Sequence, residues 1–456
     1  MSKMAEALEL VAGASQPKKR PRIVIIGGGF AGVAAARAMR KCDADIVLVD
    51  RRNHHIFQPL LYQVATAVLS PAEVAAPIRQ IARRQKNISV MLAEATSLDL
   101  TSGSIDIDCR ALGPRRLSYD YLVIGAGMQS SYFGHDEFAR YAPSLKTIAD
   151  AEAIRTRVLN AYELAELTED SDERARQMTF VLVGAGPTGV ELAASLAQLA
   201  SVTLRSSFRQ IDPAKTSILL LEGGPRVLAS FAESLSRKAT KRLEKIGVKV
   251  VTGAKVDQID AQGVVVAGNR IECATVVWTA GVAASPLVEM LGATTDRAGR
   301  VYVGPSMNLP DVPGVFVVGD AAAVAQDGRP LPGIAQVAIQ QGRYVGRLIS
   351  AELAGSKKPP RPFRYSDKGS MAVIGKNFAI MESGRIRMSG FLAWLAWALV
   401  HLIFLPQLQN RMRVQAQWLW SYLTGQRSSL LVAETPRGRA DIKTDRAAKG
   451  KTANAF

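Results

Sequence analysis

Short, wholly apolar runs recur along most of the chain. Each is punctuated by glycine and followed by a longer alanine-rich or mixed stretch. Residues 23–26 (IVII) and 180–183 (FVLV) are the clearest cases. Runs of four apolar residues bounded by turn formers predict strands buried on both faces, as in a parallel sheet. Further strands are predicted over 46–49, 121–124, 218–221, 275–278 and 315–318. Helices are predicted over 31–39 and, with more charge, over 149–166. Strands alternating with helices predict an α/β fold.

Near the C-terminus the pattern changes. Residues 391–405 (FLAWLAWALVHLIFL) are apolar almost all round. That is about 15 residues, where a spanning helix needs ~20, and Pro406 then stops the helix. After Arg411 and Arg413, the residues Val414, Trp418 and Tyr422 recur at helical spacing. Trp394, Trp397, Trp418 and Trp420 are four of the chain's five tryptophans. Tryptophans beside basic residues suit a bilayer surface. The segment therefore predicts a monotopic anchor of one buried and one interfacial helix; a core helix or a dimer interface is the alternative.

The glycines carry the chemistry. Gly27-Gly28-Gly29-Phe30-Ala31-Gly32 follows the first strand and Gly184-Ala185-Gly186-Pro187-Thr188-Gly189 follows the strand at 180–183. In such a loop the first Gly makes the tight turn, the second lets the backbone approach a pyrophosphate, and the third lets helix and strand pack closely. Two loops in the right context predict two dinucleotides, the usual sign of a flavin exchanging electrons with a nicotinamide. Asp50, with Arg51 beside it, ends the strand at 46–49 and is placed to bind a ribose; a turn-forming Asp is the alternative. Glu222 is its counterpart in the second unit. An acid there favours NADH over NADPH, although Arg226 lies nearby. Gly127 and Gly281 follow strands where the chain passes close to a nucleotide or crosses between units. Gly319-Asp320, after the strand at 315–318, forms a second flavin signature.

Because that signature lies far beyond the second loop, the second Rossmann-like unit is predicted to be inserted in the first. The expected organisation is a disordered lead-in (1–20), a first FAD-binding part (21–148), an NADH-binding domain (149–294), a second FAD-binding part (295–355), a C-terminal membrane-anchoring and dimerisation region (356–432), and a disordered basic tail (433–456).

Composition narrows the partners. The net charge is +17 over 456 residues. A nucleic acid or an anionic bilayer could exploit it; no nucleic-acid module is visible, so no nucleic acid is expected. Three scattered cysteines, Cys42, Cys109 and Cys273, form no metal or iron–sulfur pattern, so no metal is expected. The first twenty residues lack the order of a secretory signal, because Glu6 and Glu9 break the apolar stretch and Lys18-Lys19-Arg20 follows it. A position at the cytoplasmic face of the inner membrane is expected.

Several longer blocks are more specific than the loops. They are residues 54–65 (HHIFQPLLYQVA), 186–192 (GPTGVEL), 335–342 (AQVAIQQG) and 367–375 (DKGSMAVIG). With the Trp-rich end they make the chain resemble the type II NADH dehydrogenases, or non-proton-pumping NADH:quinone oxidoreductases, from about Pro21 to Leu431. It departs from the family's usual pattern at Gly125-Ala126-Gly127, where Ala-Thr-Gly is more common, and at Leu405-Pro406-Gln407. The resemblance implies non-covalent FAD in the first unit and NADH in the second. It also implies hydride transfer to flavin N5, then quinone reduction, in a membrane-associated homodimer. Glu191, two residues past the second loop, is then expected to orient the nicotinamide or relay a proton; a carboxylate merely held by nearby backbone donors is the alternative. Gln336 and Gln340 share a helical face and are expected at the quinone with Tyr62, Gln63 and Ile374; ordinary helix surface is the alternative for the glutamines, above all for Gln341, and a buried core tyrosine is the alternative for Tyr62. A disulfide reductase or sulfide:quinone oxidoreductase would need a redox cysteine pair that is missing here. A ferredoxin-type reductase would not need the Trp-rich end, and an NADH-sensing membrane or nucleic-acid-binding flavoprotein rests on charge alone.

Overall fold

The computed structural model describes residues 20–109, 112–356 and 361–432. Nearly all of the expected lead-in and the whole of the expected tail lie outside the described residues. Nine strands build two sheets: β1 (Arg22–Ile26), β2 (Asp45–Asp50), β3 (Ile88–Leu92), β4 (Tyr121–Ile124), β5 (Thr179–Val183), β6 (Ser217–Glu222), β7 (Val248–Thr252), β8 (Thr275–Trp278) and β9 (Val315–Val317). The first sheet has the order β9-β4-β1-β2-β3 and the second β7-β6-β5-β8. All the pairs are parallel, with Val24 opposite Val47 and Leu122, and Val181 opposite Leu219 and Val276. Ile23, Val24 and Ile25 are wholly buried, as their unbroken apolar run requires. The last strand to join the first sheet, β9, arrives after the whole second sheet has formed, so the second unit is inserted in the first. The chain crosses between units on an antiparallel pair, Met128–Ser130 against Val282–Ala284.

Helix α1 (Phe30–Ala38) follows β1; α2 (Leu61–Ala65) and α3 (Ile148–Leu167) lie between the units; α4 (Pro187–Gln198) follows β5; and α5 (Ala335–Leu353) crosses α1. The α1–α5 crossing is close because small residues meet: a Cβ on Gly342 would lie 2.1 Å from Ala31 O, and one on Gly346 would lie 2.6 Å from Ala35 O.

The C-terminal region is a three-stranded antiparallel sheet, β10 (Ser370–Val373), β11 (Ala379–Ser383) and β12 (Ile386–Gly390), followed by α6 (Phe391–Phe404) and α7 (Leu408–Thr424). Pro406 separates the two helices as expected. The face of α7 predicted to meet lipid is instead the face that packs on α6. Val414 is buried, Trp418 stacks on Trp397 at 5.3 Å, and Tyr422 meets Trp394 at 5.7 Å. The apolar α6 and the aromatic stripe of the amphipathic α7 pack their rings against each other. The apolar residues left outside are mostly aliphatic: Leu392, Leu395, Leu399 and Ile403 on α6, and Leu408, Met412, Leu419 and Leu423 on α7; the exposed aromatics are Phe391 and Phe404 at the two ends of α6 and Trp420, the one exposed tryptophan of the four. No helix among the described residues is long and apolar enough to cross a membrane. Asn410 ties the hairpin down by donating from Nδ2 to the carbonyls of Ala72, Glu73 and Ala75 at 2.9–3.1 Å.

Candidate active site

The two glycine loops are built to one plan. Gly27 and Gly184 sit at φ +100° and +101°, where a side chain is strained. A Cβ on Gly32 would lie 1.9 Å from Gly27 O, and one on Gly189 would lie 1.9 Å from Gly184 O. The middle glycines, Gly29 and Gly186, face open space and precede helices α1 and α4, neither of which has a side-chain cap. Unfilled space over uncapped helix N-termini fits a pyrophosphate at both places. The acids also match. Asp50 accepts from Gly28 N at 2.6 Å and Arg52 N at 2.7 Å, and Glu222 accepts from Ala185 N and Gly224 N, both at 2.7 Å. Each acid therefore shapes its own loop, which leaves the remaining lone pairs to face a ribose.

Around the first loop the structure gathers residues distant in sequence. A Cβ on Gly319 would lie 3.2 Å from Ala31 Cβ, which places the Gly319-Asp320 turn over the start of α1. Phe30 packs edge-on against His55 at 4.9 Å, and His55 Nδ1 meets Gly28 O at 3.0 Å. Burial raises the Asp320 carboxyl above the ordinary range, against the opposing pull of Lys146 and Arg300. Arg51 instead points outward, 3.5 Å from Glu94. Gly127 has open space around it, and Gly281 serves the crossover, where a Cβ would come within 2.7 Å of Ser131 O. Arg226 donates to the carbonyls of Ala229 and Phe231 at 2.7 and 2.8 Å.

Where the units meet, a small cavity of about 80 Å³ brings together Gln58, Tyr62, Lys146, Thr188 and Glu191. Glu191 is buried on α4, and its Oε1 accepts from Val373 N at 3.2 Å. Burial pushes its carboxyl up to about 8, so it is mostly protonated at neutral pH. The Tyr62 hydroxyl accepts from Gln63 Nε2 at 2.9 Å, and Gln63 Oε1 accepts from Trp418 Nε1 at 2.7 Å. A continuous hydrogen-bonded line thus runs from the C-terminal hairpin to the cavity wall. Arg427 is fully enclosed beside it, donating to Thr66 O and Ser195 O.

The glutamines of α5 separate. Gln336 reaches Gly369 O at 3.4 Å and leaves its Oε1 buried and unpaired. Gln340 has both amide atoms on the Ser366 backbone at 2.9 Å and lies away from the cavity. Gln341 does not take the surface position that is its alternative: it is only 1% exposed, and its Oε1 accepts from Gly319 N at 2.7 Å, because its face of α5 is the one turned to the first unit. Ile374 is wholly buried in the core, one residue past the amide that bonds Glu191. Nothing in the sequence around Lys146 marks it as a site residue. It stands alone in a loop, and only the fold places it between Asp320 and Glu191, where burial lowers its pKa and Asp320 raises it.

Two Rossmann-like units, each with an open glycine loop over an uncapped helix start, and a buried carboxyl in the cavity where the units meet are the architecture of a pyridine-nucleotide-dependent flavoprotein oxidoreductase. A profile of the pyridine nucleotide-disulphide oxidoreductases matches residues 21–342, and one of the NDH2 C-terminal domain matches residues 368–427. The chain is 43% identical over 431 residues to the type II NADH:quinone oxidoreductase Ndh of Mycobacterium tuberculosis, a match covering 92% of each chain. It is likewise 43% identical to NdhA of the same organism, over 91% of this chain and 89% of that one. NDH2 from Plasmodium falciparum in complex with NADH shares the fold, with a TM-score of 0.83 over 90% of this chain and 100% of its own at 19% identity. The chain belongs to the type II NADH:quinone oxidoreductase family.

Proposed function

We propose that this protein oxidises NADH at the second glycine loop and delivers the two electrons to a membrane quinone beside Glu191, with FAD held by the first loop. The chemistry supplied by a bound flavin is acceptance of a hydride and its onward release as two electrons. Gly27, Gly29, Phe30, Ala31, Gly32 and Asp50, with Gly319 and Asp320, hold it; Gly184, Gly186, Pro187, Thr188, Gly189 and Glu222 hold NADH. The observation that carries the assignment is the cavity at the junction of the units, with a carboxyl raised to about 8 by burial. A protonated, buried carboxylic acid can donate a proton as a quinone gains electrons, and Tyr62, Gln63 and Trp418 position that wall of the cavity. Gln336, with its free carbonyl oxygen, is the second polar group we assign to the acceptor.

Members of this family are peripheral membrane proteins. We place this one on the cytoplasmic face as a homodimer, held by the aliphatic faces of α6 and α7; the exposed leucines there support the membrane contact. The Glu191 assignment is tested by splitting the reaction. With Glu191→Gln, reoxidation by a quinone analogue is expected to slow about 100-fold, the scale of general-acid catalysis, while bleaching of the flavin by NADH changes little. Equal slowing of both half-reactions would remove Glu191 from proton delivery and leave it a structural residue of α4.

A further inference from the structure

A cleft of about 710 Å³ opens on the outer face of α5 and shares no lining residue with the Glu191 cavity or with either glycine loop. One wall is the stripe of α5 opposite the face that packs on α1. The other is the segment 361–368. That second wall is fixed: Gln340 bonds the Ser366 backbone twice at 2.9 Å, the Tyr344 hydroxyl donates to Arg361 O at 2.7 Å, and Phe363 N donates to Pro305 O at 2.8 Å. Tyr344 and Phe363 meet edge-on at 5.6 Å and give the cleft an aromatic floor.

The charge is one-sided. Arg343, Arg347, Arg361, Arg364 and Lys368 line the cleft against a single carboxylate, Glu352, which is engaged with the Tyr121 hydroxyl. Arg364 reaches Asp327 at 3.5 Å in an exposed pair. Among the described residues no carboxylate lies within 4.0 Å of Arg343, Arg347, Arg361 or Lys368. Arg37 stands behind them, its pKa lowered by burial and then by repulsion from Arg343. Like charges facing one another in a walled groove repel unless an anion joins them. Two arginines one helical turn apart present forked donors that match phosphate oxygens, and a single carboxylate would leave most of the charge unanswered.

We propose that this cleft binds a phosphate-bearing anion, supplied either by an acidic phospholipid headgroup or by a free phosphorylated metabolite. The test uses the full-length FAD-loaded enzyme saturated with NAD⁺, so that the second loop is occupied. Pyrophosphate binding is measured by calorimetric titration. Partition is measured on phosphatidylcholine vesicles with and without phosphatidylglycerol. The double variant R343Q/R347Q changes two exposed side chains; R115Q/R297Q removes the same charge elsewhere. Loss of two forked, charge-assisted contacts is expected to weaken binding about tenfold or more, and the control to change it less than about twofold. Weakened pyrophosphate binding assigns the site to free phosphorylated ligands. Lost preference for phosphatidylglycerol assigns it to headgroups, and both losses together assign it to either source. If wild type binds neither probe, or if R343Q/R347Q matches the control on both, the proposal is overturned.

Discussion

Glu191 shows how a single residue acquires chemistry from its surroundings. On the sequence it is an acid near a helix start. The fold encloses it with one backbone donor, Val373 N, and burial lifts its carboxyl to about 8. A folded-state pKa above the unfolded value means that its contribution to stability is complete below about 4.5 and is lost as pH rises towards about 8. Wild type should therefore lose stability relative to Glu191→Gln across that window and run parallel to it above, which thermal unfolding at several pH values would show. A constant offset at every pH would mean that the carboxyl is not buried in solution. The glycines give a second residue-scale expectation. Gly189→Ala places a Cβ 1.9 Å from Gly184 O and should raise the KM for NADH about tenfold or more with flavin retained. Gly32→Ala should lose flavin instead. Flavin loss from Gly189→Ala would contradict the division of the two loops. These glycines were legible because the strain is local. Lys146 and Gln341 were not, because their roles come from burial against residues far away in the chain.

At the scale of elements, strands β1, β2, β4, β5, β6, β8 and β9 were readable as unbroken apolar runs, since both faces of a parallel sheet are covered. The helical hairpin at the C-terminus was readable in its parts but not in its orientation. Helical spacing locates a stripe, and it does not say whether the stripe meets lipid or another helix. Trp397 and Trp418 meet each other, and Leu392, Leu395, Leu399 and Ile403 make up most of the outward face, with Phe391 and Phe404 at its ends. Replacing Leu395 and Leu399 by Glu should therefore weaken partition to vesicles at least about tenfold, since burying one leucine is worth about 1.5–3 kcal/mol, with NADH oxidation by a soluble acceptor unchanged. Trp418→Phe keeps the stacked ring but removes the donor to Gln63 Oε1. It should impair quinone reduction while leaving vesicle binding intact. The opposite pattern, with tryptophan loss releasing the protein and leucine loss having no effect, would restore the tryptophans as the membrane contact.

For the whole molecule, the insertion of one nucleotide-binding unit in the other brings Glu191 from α4 against Tyr62 from the first unit, with Lys146 from the connection between them. The inserted arrangement follows from one sequence fact, the Gly319-Asp320 turn falling beyond the second loop, whereas the cavity between the units could be seen only once the sheets were in place. Glu222, with Arg226 occupied by the carbonyls of Ala229 and Phe231, carries the expected preference for NADH over NADPH. All of this converges on one measurement: anaerobic stopped-flow of the detergent-purified protein, following the flavin band first with NADH or NADPH and then with a quinone analogue. NADH should bleach the band rapidly and NADPH far more slowly, and quinone should restore it in full. Bleaching without recovery, or equal rates with the two nucleotides, would contradict the assigned function.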